Sequence, residues 1–448
     1  MTSYFPVFRD AVYPPSLLTS KQTWTYMAFP VVRITRIRKS NRASNMKTKW
    51  LSSISLVILC IVSASAQNRV LKLTPHKVVL SKGETFNLNL PEEFELMVAA
   101  EGLKRARFMS KSPDGRIFVT DMFNLTDNNR GAIYILENFD ERTGRFGKIT
   151  PYLASLHNPN SICFHSDANG NSWLYVALTD KLVRYRYHNG DDSPTGAPQV
   201  LATFPDYGLG YKYGGWHLTR TLAFGPNGKL YISVGSSCNA CEEKEKVRAT
   251  VTEMNPDGSN RRVYASGLRN AVGLKWIGDQ LFATNMGADH LGDDKPSDTM
   301  YMLRQGVNYG WPYCYQQQSR VYPDPQFQSS EKNPGCKNVP AAYAAFYAHS
   351  SPLGLEYFDS RTTAPSLRNY FLVALHGSSD HKLNRGHSIA RVKKGARIED
   401  FITGFRQNNT VYGRPCDILK LGPDAFLFTD DHAGVVYYVR KKDRSPQK

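Results

Sequence analysis

The tightest constraint on this chain is a unit that recurs six times: an apolar strand, a short polar turn, and a second apolar strand. In order, the turns and second strands are Pro113-Asp114-Gly115 before Arg116-Ile117-Phe118-Val119, Asn169-Gly170-Asn171 before Ser172-Trp173-Leu174-Tyr175-Val176, and Pro226-Asn227-Gly228 before Lys229-Leu230-Tyr231-Ile232. Then come Gly278-Asp279 before Gln280-Leu281-Phe282-Ala283, a weaker Leu367-Arg368-Asn369 before Tyr370-Phe371-Leu372-Val373, and Pro423-Asp424 before Ala425-Phe426-Leu427-Phe428. Pro, Asn, Asp and Gly supply the fixed or positive φ values of tight hairpins, and the residues that follow are the β-branched and aromatic types that fill a pleated surface. Spread over the residues after 66, six such units leave somewhat more than the ~40–50 residues of a four-stranded propeller blade. The spacing predicts an all-β, six-bladed β-propeller. A pair of β-sandwiches has no need of one unit repeated six times, and no window sustains a 3.6-residue apolar period, so long helices are not expected. The last strand, Val435 to Val439, is expected to pair with the early strand Phe94 to Ala99, closing the ring and removing its free edges.

Ahead of the repeats, Met46-Lys47-Thr48-Lys49, the apolar run from Leu51 to Val62 and Ala64-Ser65-Ala66 have the form of a secretory signal cleaved before Gln67. The competing reading, a buried or membrane-spanning helix, needs ~20 apolar residues, and the run is shorter. The expected organisation is a superfluous extension at 1–45, a signal peptide at 46–66 and one propeller domain at 67–448, secreted or periplasmic, with no membrane span in the mature chain. Residues 1–66 hold nine of the 56 Lys/Arg and one of the 39 Asp/Glu, so the formal charge of +17 falls to +9 without them. The remaining basic residues are scattered, which suits an anionic ligand or plain solubility and not the basic stripe of a nucleic-acid binder.

Six Cys follow the leader. In an oxidising compartment Cys238 is expected to pair with Cys241 locally, and Cys314 with Cys336 across a Pro/Gln/Ser-rich loop. The single CxxC lacks the His of a haem attachment motif, and zinc is a weak reading with one such pair. Cys163 and Cys416 sit on apolar strands and read as buried thiols. The spacing between units swells at Ser233 to Val263 and Pro296 to Ala348, and long loops on a rigid scaffold are where binding residues collect.

Function is most legible between Tyr264 and Asp289, where a hairpin carries Arg269 and Asn270 before its first strand and Asn285 to Asp289 after its second. A guanidinium and an amide donate to anions, and a Gly-rich bend exposes carbonyls that suit a hard cation. An ordinary strand pair with its Arg in water fits the same residues.

Three further stretches stand beside it: Gly214-Gly215-Trp216-His217-Leu218-Thr219-Arg220, Gly235-Ser236-Ser237-Cys238-Asn239-Ala240-Cys241, and Asn308-Tyr309-Gly310-Trp311-Pro312-Tyr313-Cys314. Joined to Ala265-Ser266-Gly267-Leu268-Arg269-Asn270, they resemble the soluble quinoprotein sugar dehydrogenases, namely the L-sorbosone dehydrogenase-like proteins and, more distantly, soluble glucose dehydrogenase. The likeness runs from Pro91 to Val439. It implies a six-bladed propeller that uses pyrroloquinoline quinone (PQQ) and Ca2+ to oxidise a sugar and pass electrons to an external acceptor. In that family a His before the third unit acts as base, and His217 holds the place; an imidazole titrating near ~6.5 suits removal of a hydroxyl proton. A structural His beside Trp216 is the plainer alternative.

The resemblance also implies that Arg269 and Asn270 contact the quinone, and that the backbone carbonyls of Gly287 and Ala288 bind the calcium. Ala288 stands where glucose dehydrogenase has Pro. Arg414 matches the first Arg of an Arg-x-Arg-Asp segment whose second Arg is here Cys416. Near Lys382 the family's quinone-binding Lys has Arg385 as its stand-in, and His349 and Ser351 fall at the channel mouth or serve structure. Two rival functions remain open from sequence. A calcium-dependent lactonase would need side-chain carboxylates on the metal, for which Asp121, Asp289 and Asp430 are the candidates. A non-catalytic propeller would bind glycans or protein through its loops.

Overall fold

The structure, a computed structural model, describes residues 71–206, 216–380 and 382–442. The expected leader and signal, and the Gly214-Gly215 pair ahead of His217, lie outside the described residues. Six four-stranded antiparallel sheets make up the described chain, with three two-stranded ribbons beside them and no α-helix. Each expected hairpin is the inner pair of one sheet, so the repeated sequence unit is half a blade.

Blade one comprises Ala106–Lys111, Ile117–Asp121, Gly131–Asp140 and Arg145–Leu156; blade two comprises Ser161–Ser166, Ser172–Ala177, Lys181–Tyr187 and Gln199–Thr203. Blade three has Arg220–Phe224, Leu230–Val234, Thr250–Met254 and Arg262–Ser266, and blade four has Ala271–Ile277, Gln280–Asn285, Asp298–Leu303 and Ala344–Phe346. Blade five is Pro352–Phe358, Tyr370–Leu375, Ser388–Val392 and Glu399–Ile402. Blade six takes Pro415–Gly422, Ala425–Asp430 and Val435–Lys441 from the end of the chain and its outer strand, Phe94–Glu101, from the beginning. That outer strand pairs from Phe94 with Lys441 to Glu101 with Val435, the closure expected from sequence. Each innermost strand packs against the innermost strands of both neighbouring blades, so the ring is complete.

One local device joins three of the blade boundaries. In blades one, four and six the inner hairpin slips register near its start, which frees the N–H of Phe108, Gly273 and Asp417 from the ladder. Thr120, Thr284 and Thr429 accept those N–H groups at 2.8–3.0 Å. Each hydroxyl then donates across the boundary, Thr120 to the Asn160 carbonyl, Thr284 to that of Leu353 and Thr429 to that of Arg107, at 2.6–2.7 Å. All three threonines are fully buried, so each hydroxyl satisfies a backbone donor and an acceptor withdrawn from water; at the first boundary the Phe108 N–H also reaches the Asn160 carbonyl directly, at 3.3 Å.

A hairpin unforeseen from sequence precedes blade six's outer strand, Leu73–Val79 paired with Thr85–Pro91. Its alternating Phe86, Leu88 and Leu90 are buried in the apolar cluster shared by blades five and six. Both expected disulfides are present, Cys238–Cys241 and Cys314–Cys336. Cys416 is a buried thiol as expected, whereas Cys163 is only half-buried; burial raises the pKa of both.

Candidate functional site

Innermost strands of a propeller run in one direction, so residues that precede them and residues that follow the second strands gather at the same mouth of the channel. His217, Arg269, Asn270, His349, Ser351 and Arg414 precede innermost strands, while Gly287, Ala288 and Arg385 follow second strands. The topology therefore brings every expected site residue to one mouth.

His217 is half-buried there, with its Nδ1 2.9 Å from the Ser236 carbonyl oxygen. A carbonyl only accepts, so Nδ1 carries the proton and the lone pair lies on Nε2, which no described group bonds. Burial and then the Arg269 guanidinium hold this imidazole well below its ordinary pKa. It is therefore neutral, with the Nε2 lone pair unspent among the described residues. Gly235 permits the arrangement: a Cβ there would stand 2.6 Å from both the Asn270 Oδ1 and the His217 Cβ.

Arg269 is 4 % exposed. Its Nε donates to the Asn239 carbonyl and one terminal nitrogen to the Asn239 side chain, both at 2.8 Å, with Asp289 at 3.5 Å. Asn239 sits inside the four-residue loop that the Cys238–Cys241 disulfide closes. The second terminal nitrogen has no partner among the described residues. Asn270 donates its backbone N–H to Asn285 and its side-chain amide to the Met286 sulfur, which leaves its Oδ1 buried and unpaired.

Gly287 donates its N–H to Asp298 at 2.7 Å, and Asp298 also accepts the Ser351 N–H at 2.7 Å. Burial pushes the Asp298 carboxyl up to about 6. The Gly287 carbonyl accepts no hydrogen bond among the described residues, while Ala288 is buried and caps the short 3-10 turn Asp289–Leu291, whose first bond falls on its carbonyl. A cavity beside this turn is walled by Arg269, Gly287, Ala288, Trp311 and Gln316; His217 is not among its walls.

The other expected residues are further committed. His349 lies between the Gly292 carbonyl, 3.0 Å from Nε2, and Asp289, 3.3 Å from Nδ1, and is thereby linked through Asp289 to Arg269. Arg414 donates to the carbonyls of Gly377 and Ser378, both at 2.9 Å, and so pins the loop after blade five's second strand. Arg385 pairs with Asp294 at 2.8 Å and lies over the Tyr347 ring.

The three carboxylates that a lactonase would need make no contact with one another. Asp121 accepts the N–H groups of Lys104, Arg105 and Phe123, and Asp430 those of Arg414, His432 and Ala433. They share a structural task with Asn285, which takes the N–H of Asn270: each caps the segment entering an innermost strand.

Sequence reasoning missed a buried ion cluster across blades five, six and one. Asp431 meets Arg107 at 2.7 Å, Arg105 at 3.2 Å and His376 at 2.7 Å. The available signal was Thr429-Asp430-Asp431, which repeats Thr120-Asp121 and Thr284-Asn285 at the ends of second strands but adds one acid.

Comparison with known proteins extends this picture. The TrAA12-like family model matches residues 88–403. An uncharacterised protein of Borreliella burgdorferi is 26 % identical over 374 residues, covering 79 % of this chain and 91 % of that one. Among solved structures, the calcium structure of Trichoderma reesei carbohydrate-active enzymes family AA12 superposes with a TM-score of 0.65 at 16 % identity, covering 84 % of this chain and all of that one. The holo form of the pyranose dehydrogenase PQQ domain from Coprinopsis cinerea gives 0.64 at 18 % identity, with coverage of 80 % and 97 %. The PQQ-bound aldose sugar dehydrogenase of Streptomyces coelicolor gives 0.52 at 19 % identity, with coverage of 79 % and 100 %. These superpositions agree with the fold derived above.

Proposed function

This chain belongs to the TrAA12-like family, and we propose that it is an exported sugar oxidoreductase that takes a hydride and a proton from a hydroxyl-bearing carbon, uses PQQ with Ca2+, and passes the electrons to an external acceptor. In this reading residues 1–66 are removed and 67–448 is the working domain. Two disulfides support the oxidising compartment, and among the described residues no helix is long and apolar enough to cross a membrane.

The observation that carries the proposal is His217, with Nε2 open and its neutral form enforced, set against Asn270 through Gly235 and near Arg269. The remaining groups suit an anionic quinone and a hard cation. Among the described residues the Gly287 carbonyl is unclaimed, the Asn270 Oδ1 is buried without a partner, and Arg269 keeps one terminal nitrogen unspent; the Ala288 carbonyl caps a 3-10 turn and keeps its second lone pair for a cation. Gly287 and Ala288 would hold the calcium. Arg269 and Asn270 would hold the cofactor, with Arg414, Arg385 and His349 completing the rim. When bound, the quinone supplies the two-electron acceptor and the calcium a Lewis acid for its carbonyl. His217 receives the substrate hydroxyl proton at Nε2, while the Ser236 carbonyl retains the Nδ1–H and steadies the ring. Arg269 places fixed positive charge where negative charge grows, and its anchoring by Asn239 spares reorganisation at that moment.

The test is reconstitution of the purified protein with PQQ and calcium, followed by dye reduction with a panel of sugars. His217→Gln should bind the quinone as the parent does and lose turnover by ~10²–10⁴. Arg269→Ala should lose quinone binding and turnover together. Parental turnover in His217→Gln would end the assignment of the base.

A further inference from the structure

On the same mouth, over blades one and two, four titratable side chains outside this site converge from four different loops. Asp127 comes from the loop between blade one's second and third strands, and His157 from the link between blades one and two. Asp180 stands in blade two's second turn, and Asp206 follows its last strand. Asp127, His157 and Asp206 each offer a donor atom within 4.8 Å of the other two. The only other three-donor group found among the described residues is Cys238, Cys241 and Glu243, and its sulfurs are spent in a disulfide.

Acidic clusters are common on protein surfaces, but this one is built differently. The Asp127 side chain is 1 % exposed, one of its oxygens lies against the His157 Nε2, and the other is buried with no partner among the described residues. A carboxylate oxygen withdrawn from water is costly unless something positive meets it. His157 is itself 9 % exposed in its side chain; its Nδ1 faces Asp180 at 3.2 Å, with Asp206 further off on the same side at 3.9 Å. A carboxylate on one imidazole nitrogen fixes the ring and raises the basicity of the other, the arrangement that supports metal-binding histidines. The backbone is fixed as well, because Asn158 accepts the N–H of Asn128 at 2.8 Å and donates to the Thr126 carbonyl at 3.0 Å. Among the described residues, nearby cations include Lys181, 3.4 Å from Asp180, and the buried Arg220, which acts on Asp206 and Asp180 through the field.

We propose that Asp127, His157 and Asp206 bind one first-row divalent cation, Zn2+ or Mn2+, with Asp180 as the positioning residue that holds His157. One imidazole with carboxylate oxygens is a donor set for these ions, whereas calcium takes oxygen ligands alone. The cation ties three loops that no disulfide joins, and it is distinct from the calcium expected at Gly287 and Ala288.

The test uses the whole oxidised protein, stripped with chelator and then held in excess calcium so that any oxygen-only site is filled. Titration with Zn2+ and, separately, Mn2+, followed by calorimetry and native mass spectrometry, should give one equivalent of at least one of them. Asp127→Asn and Asp206→Asn should each weaken that uptake by about tenfold or more. Asp206 lies at the half-open edge of the cluster, so its variant serves if loss of Asp127 impairs folding. Co2+ loaded into the parent should give an absorption band that shifts in Asp180→Asn, the readout of a held imidazole. No uptake of Zn2+ or Mn2+, uptake unchanged in both ligand variants, or filling by calcium alone would each overturn the proposal.

Discussion

Asp431 is the carboxylate whose loss should be felt most widely. It is fully buried and meets Arg107 and Arg105 of blade one and His376 of blade five, while belonging to the link after blade six's second strand. Arg107 also donates from Nε to Asn160 at 3.0 Å, so the contacts run on to the entry of blade two. Asp431→Asn keeps the shape and removes the charge. Its amide nitrogen, a donor, must then face a guanidinium or an imidazole, and the buried Arg107 loses its counter-charge. Removing one partner of a buried pair costs about 3–5 kcal/mol, because the other charge is left desolvated. Stability should fall by that much in equilibrium denaturation by urea, followed by tryptophan fluorescence, with an unchanged slope against denaturant. Asn160→Ala removes a neutral, buried partner that bonds Arg107, the Arg220 carbonyl and Thr221, and should cost about 1–3 kcal/mol. A loss under ~1 kcal/mol for Asp431→Asn would mean that water reaches the cluster and the burial argument is wrong.

Further outcomes can be checked alongside. Gly235→Ala should push His217 and Asn270 apart and depress PQQ-dependent turnover much more than stability, which should change by about 1–3 kcal/mol; parental turnover would contradict the close packing at 2.6 Å. Cys238→Ser with Cys241→Ser should release Asn239 from its loop and weaken quinone binding through Arg269, seen as a higher PQQ concentration at half-saturation. Asp431, held well below the ordinary carboxylate pKa of 3.8 chiefly against burial by His376 and Arg107, contributes stability above that pH that is lost as pH falls through the acid range. Asp417 and Asp430 are pushed by burial up to about 7, so they bind protons when folded and release them when unfolded. Their contribution therefore declines as pH rises from 3.8 to about 7, and Asp417→Asn or Asp430→Asn should flatten that decline in denaturation midpoints measured across the range.

The ring was legible because its signal is local. Short turns of Pro, Asn, Asp and Gly dictate hairpins wherever they stand, and a unit repeated six times around such turns leaves few other architectures. The hairpin at Leu73–Val79 and Thr85–Pro91 lacks such a turn, having Ser81-Lys82-Gly83 instead, and its alternation shows only in Phe86, Leu88 and Leu90. The site was legible in part. His217, Arg269 and Gly287 could be placed because each stands at a fixed offset from a hairpin strand. What Arg414 and Arg385 touch could not be read, since Gly377, Ser378 and Asp294 reach them from other blades. Asp121 and Asp430 misled for the opposite reason. A carboxylate that takes two or three backbone N–H groups looks, in sequence, the same as one that waits for a metal.

The strand Phe94–Glu101 is among the first parts of the propeller to be synthesised, yet its partner Val435–Lys441 is nearly the last. Five sheets can assemble in turn as the chain emerges, but the sixth has to wait with an apolar strand unmatched at the front of the molecule. Tyr437, Tyr438 and Val439 thus act as a clasp that shuts only once the strand after blade six's inner hairpin has been made. A chain that stops before Val435 lacks this partner and leaves Phe94–Glu101 as an open, apolar edge.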